Sequence, residues 1–91
     1  MTKNSNIFSF LCIARKANAT CFGSNAVDRT ANLNKALLII AAEDAAQNTK
    51  DRAMRIAERC KIPYICILSK AELGQIAGKK DITICAVTKK S

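Results

Sequence analysis

The chain has 91 residues, 49% of them hydrophobic and 24% charged; this is enough for one hydrophobic core, too little for two, and too apolar for a disordered chain. Fifteen Lys and Arg against seven Asp and Glu leave a net charge of +8. Such an excess points to a polyanionic partner, because cations gain affinity for a phosphate backbone by releasing its counterions.

Ile7, Phe10, Leu11 and Ala14 recur on one helical face behind Asn4, Ser5 and Asn6, any of which can cap, so a first helix is expected over about residues 5–17. Asn18 should end it. Thr20-Cys21-Phe22 is a short β-prone run closed by Gly23, and a second helix should begin near Ser24 or Asn25. In that helix Val27, Thr30 and Ala31 face inward, while Asp28, Arg29 and Asn32 face solvent. The continuous apolar run from Ala36 to Ala42, rich in β-branched residues, predicts a central strand covered on both faces. After a turn around Asp44 to Asn48, Ala53, Ile56, Ala57 and Cys60 mark a third helix that ends before Pro63. Tyr64 to Leu68 should form the next strand, Ser69-Lys70-Ala71-Glu72 a capping box opening a helix that ends at Gly78, and Ile82 to Val87 the last strand. Helices alternating with strands predict an α/β domain over residues 1–91, a three-layer sandwich with helices on both faces of a small sheet.

The longest apolar runs, residues 36–42 and 62–68, fall far short of the roughly 20 residues of a membrane span. The amino terminus has no signal-peptide pattern, so a cytoplasmic protein without a membrane partner is expected. Cysteines at 12, 21, 60, 66 and 85 include no C-x-x-C pair and are odd in number. Each has apolar neighbours, so they read as reduced thiols in core segments, with no bound metal or other cofactor.

The chain contains no histidine, which removes Ser-His and Cys-His nucleophile pairs. It also lacks the G-x-G-x-x-G and P-loop phosphate cradles, so neither enzymatic activity nor a small-molecule substrate is expected. Glu43 and Asp44 follow the central strand, where an acceptor aspartate could lie, but the first segment brings only Arg15 and Lys16 and no further acidic pair. Asp44 therefore reads better as a turn residue. Gly23-Ser24-Asn25 is more informative. Glycine permits close backbone approach, a helix amino terminus favours phosphate, and asparagine offers both a donor and an acceptor to base edges, with Arg29 one turn on along the same face. The competing reading makes Asn25 a helix cap and Arg29 a solvated surface charge.

Gly23-Ser24-Asn25-Ala26-Val27-Asp28-Arg29, taken with Ala41-Ala42-Glu43-Asp44-Ala45, Ile62-Pro63-Tyr64, Ser69-Lys70-Ala71-Glu72-Leu73-Gly74 and Ala77-Gly78-Lys79, resembles the L-seven-Ae kink-turn-binding ribosomal-protein family. The pattern runs from Ala14-Arg15-Lys16-Ala17 to the closing strand and is similar to the compact bacterial YlxQ-like branch. The resemblance implies an α-β-α sandwich with a mixed sheet, acting as a non-enzymatic, monomeric binder of structured RNA, ribosomal RNA included. Its target would be a kink-turn, a helix bent at tandem sheared G·A pairs. It also implies an RNA site made of Gly23, Ser24, Asn25 and Arg29, flanked by Lys16, with a lip formed by the Asp44–Lys50 turn and by the Ile67–Lys70 connection, which holds Leu68, Ser69 and Lys70. Two stretches depart from the family. Ala26 stands where a glutamate usually follows the asparagine, and Ala17-Asn18-Ala19 stands where bacterial relatives often read A-G-K. The departures imply weaker kink-turn binding or a different RNA fold, and they support an alternative role as a protein-interaction adaptor.

Overall fold

A computed structural model describes residues 5–89. In chain order it contains α1 (Ser5–Lys16), β1 (Thr20–Phe22), α2 (Ser24–Asn32), β2 (Ala36–Ala41), α3 (Gln47–Cys60), β3 (Tyr64–Cys66), α4 (Lys70–Ala77) and β4 (Ile84–Thr88). Most element ends lie where the turn chemistry puts them. Asn18 follows α1 with a left-handed backbone at φ 57°, a conformation asparagine tolerates because its short polar side chain can bond locally. α4 starts with the expected capping box: Ser69 Oγ accepts from the Glu72 N–H at 3.1 Å, and the Ser69 N–H donates to Glu72 Oε1 at 2.9 Å. It ends at Gly78 with φ 73°.

The four strands form one mixed sheet in the order β1-β4-β2-β3, with β2 and β3 parallel and the other pairs antiparallel. α3 is the crossover that the parallel pair requires. Alternation along the interior strands divides the core in two. Ile40, Cys85 and Val87 face Leu11 of α1 and Leu73, Ile76 and Ala77 of α4. Ile39, Ala41, Ile84 and Ala86 face Val27 and Ala31 of α2 and Ala53, Ile56 and Ala57 of α3. Helices thus cover both sheet faces, giving three layers. No helix among the described residues is long and apolar enough to cross a membrane.

Several expectations need correction. β2 shares the interior of the sheet with β4, and it is not covered along its whole length. Ala36 pairs with Thr88 and Leu38 with Val87, so Leu37 is the extra residue of a bulge and is 49% exposed. β3 ends at Cys66 because Leu68 turns to φ 69°. β4 begins at Ile84, since the Ile82 N–H leaves the ladder to bond the Lys70 carbonyl at 3.0 Å. The cysteines are not uniformly core residues: Cys85 is buried, Cys12, Cys21 and Cys60 are half-buried, and Cys66 is exposed. Cys66 lies on β3, a three-residue edge strand, where neighbouring elements cannot enclose it.

Candidate nucleic-acid interface

Phe22 pairs with Cys85, and Ala41 with both Ile84 and Cys66. The carboxyl ends of β1, β2 and β3 therefore meet the amino end of β4 at one end of the sheet. Gly23–Asn25, Ala42–Ala46, Ile67–Ser69 and Asp81–Thr83 all emerge there. Backbone hydrogen bonds tie them together: Gly23 N–H to the Ile84 carbonyl at 3.0 Å, Ala42 N–H to Thr83 at 2.9 Å, and Glu43 N–H to Leu68 at 2.8 Å.

Gly23 is the N-cap of α2, with φ 95° and ψ 149°, a region essentially restricted to glycine. No side chain caps this helix, and its first turn carries no acidic residue. Its leading N–H groups, which have no intrahelical acceptor, are thus available to an anion. Asn25 lies inside the first turn with its side chain exposed, so it does not cap α2. Arg29 is exposed one turn further on, and Ser24 is half-buried. α3 likewise has no side-chain cap at Ala46, so two helix amino termini at this end of the sheet remain open.

α4 differs. Its amino terminus is already occupied by Ser69 and by Asp44, whose Oδ1 accepts from the Lys70 N–H at 2.8 Å. Asp44 thereby locks the connection after β2 to the start of α4, a structural use of the carboxylate that suits the turn reading. Leu68 is 1% exposed; its side chain belongs to the core, and its backbone sets the course of the loop. Lys70 is exposed beside it and Ser69 is half-buried. Lys16 is exposed at the end of α1, by the opposite end of β1; the three residues of β1 separate it from Gly23 by roughly 10 Å.

Sequence periodicity missed one contact here. Arg59 donates to Asp28 Oδ1 at 2.8 Å and to Asn32 Oδ1 at 2.9 Å, and the bond to Asp28 is the main reason its guanidinium pKa is raised. The partners are 31 and 27 residues apart, beyond any local pattern. The pair bridges α2 to α3. Among the described residues it is the single ion pair, which leaves Arg29 without an acidic partner.

Residues 5–91 match the ribosomal protein L7Ae/L30e/S12e/Gadd45 family. The chain is 32% identical over 84 residues to the RNA-binding protein YlxQ of Bacillus subtilis (strain 168), a match that covers 89% of this chain and 81% of that protein. A structure of a protein with unknown function from Bacillus halodurans C superposes with a TM-score of 0.83 at 23% identity, over 90% of this chain and 83% of the other. The Giardia lamblia 15.5kD RNA binding protein gives a TM-score of 0.72 at 22% identity, over 98% and 78% of the respective chains. At those identities the two structures speak to the fold.

Proposed function

The chain belongs to the ribosomal protein L7Ae/L30e/S12e/Gadd45 family, and from that premise we propose that it is a non-enzymatic, cytoplasmic RNA-binding protein. Its target in this reading is a kink-turn or a similarly bent structured RNA in a ribosomal or regulatory context. The observation that carries the proposal is the uncapped amino terminus of α2, with Asn25 and Arg29 exposed one turn apart and no acidic residue in the first turn. A phosphate fits the free N–H groups. Asn25 is suited to base edges exposed where the RNA bends, and Arg29 to the adjacent backbone or a guanine. Lys70, with Leu68 and Ser69 setting the loop, forms the lip on the far side, and Lys16 adds charge at the flank. The name of the Bacillus subtilis relative agrees with an RNA partner. Ala26 offers no side-chain hydrogen bond, so fewer base contacts are available than the family's usual glutamate would supply.

The test compares a kink-turn RNA with a straight duplex of equal length. Wild-type protein should prefer the kink-turn. Asn25→Ala should erode that preference by roughly 1–3 kcal/mol, the scale of specific base contacts, whereas Arg29→Glu should weaken both RNAs. Equal affinity of the wild type for both RNAs would leave only general polyanion attraction.

A further inference from the structure

The opposite end of the sheet has different chemistry. There the amino ends of β2 and β3 and the carboxyl end of β4 border an open cleft of about 410 Å³, lined in part by Asn34, Leu37, Lys61, Ile62, Pro63 and Lys89. Leu37 faces solvent because it is the bulge residue of β2. Bulges re-aim side chains, and here the leucine lines the cleft. Leu33, at the end of α2, is 58% exposed close by in sequence. The rim is held by the backbone: Asn34 and Lys61 take left-handed conformations at φ 59° and 57°, and the Lys89 N–H bonds the Lys35 carbonyl at 2.7 Å. Among the described residues no acidic residue lines the cleft, two lysines do, and Lys35 is exposed beside them.

Exposed Leu37 and Pro63 beside two lysines are complementary to an acidic segment carrying an apolar side chain. RNA suits it less well, since among the described residues no aromatic side chain lines the cleft for a base to stack on. We propose that this cleft docks a short acidic segment of a protein partner, with an apolar side chain against Leu37, Ile62 and Pro63 and carboxylates on Lys61 and Lys89. The six residues of β2 separate it from the Gly23–Asn25 end by roughly 20 Å. RNA and peptide can therefore be held together. The bridging role rests on the RNA reading, but the docking does not.

The test pans a random heptapeptide library against the full chain, then maps the best peptide by its effect on backbone amide NMR signals. Expected are peptides with Asp or Glu flanking one large apolar residue, saturable shifts at Asn34–Leu37, Lys61, Ile62 and Lys89, and no shifts at Ser24 or Asn25. Leu37→Glu and Lys61→Glu should each weaken peptide binding on the order of tenfold, with melting and the preference for a kink-turn over a straight duplex unchanged; Lys89→Glu provides a second charge reversal should Leu37→Glu perturb the bulge. Peptides lacking acidic residues, shifts mapping to the α2 end, or cleft shifts caused by a straight RNA duplex and by no peptide would each overturn the proposal. Loss of RNA binding with peptide docking intact would instead strike the RNA reading.

Discussion

Cys85 has no exposed surface, and burial, with a smaller contribution from Cys21, pushes its thiol up to about 12. The folded protein therefore keeps this proton at a pH where an unfolded thiol, ordinarily near 8.5, has lost it. Stability from Cys85 should be fully present below about pH 8.5 and decline as the pH rises toward 12. Cys21 and Tyr64, both raised chiefly by burial, act in the same direction. Denaturation midpoints at pH 7.5 and 10 should fall with pH in the wild type and fall less in Cys85→Ala; parallel slopes would show that the buried thiol is not responsible. Gly23 allows a sharper prediction. A Cβ there would meet nothing within 4 Å, so Gly23→Ala should cost about 1–3 kcal/mol from backbone conformation alone, readable as a lower denaturation midpoint. The sequence marks Gly23 as a turn glycine, but the thiols are harder to rank. Cys66 and Cys85 have similar apolar neighbours in sequence, and only the place of each strand in the sheet leaves one exposed and the other enclosed.

At the level of elements, local chemistry determined the helix ends well. The capping box at Ser69 and Glu72 is legible because all its donors and acceptors lie within four consecutive residues. The hydrogen bond from Lys70 to Asp44 joins residues 26 apart, and together with the Glu43–Leu68 backbone bond it ties the connection after β2 to the one after β3. Asp44→Ala should free the Lys70 N–H, lower stability on the order of 1 kcal/mol, and weaken RNA binding through a looser lip. Asp44→Asn, which keeps an acceptor oxygen, should recover most of both. Rescue of stability without rescue of binding would mean that the charge, and not the tie, matters at the interface. The bulge at Leu37 belongs to the same scale: a run of apolar residues from Ala36 predicts a strand, but it carries no mark of which residue the pairing with β4 will leave over.

Across the whole molecule, the net charge of +8 implies an RNA affinity that falls steeply between low and physiological salt. A plot of log affinity against log salt should have a negative slope, and Arg29→Glu should make it shallower by about one phosphate contact or more. A flat plot for the wild type would remove the electrostatic basis of the proposed function. The sequence alone determined the alternation of helix and strand, because the spacing of apolar residues selects each element and nearby polar groups end it. It also singled out Gly23, Asn25 and Arg29, since a glycine, an asparagine and an arginine one turn later are a local pattern. Only the tertiary structure decided that β4 lies between β1 and β2, that α2 and α3 present uncapped amino termini at one end of the sheet, and that a lysine-rimmed cleft opens at the other. Those features arise from pairings between distant segments, whose register depends on how the whole core packs and is written in no single stretch of the chain.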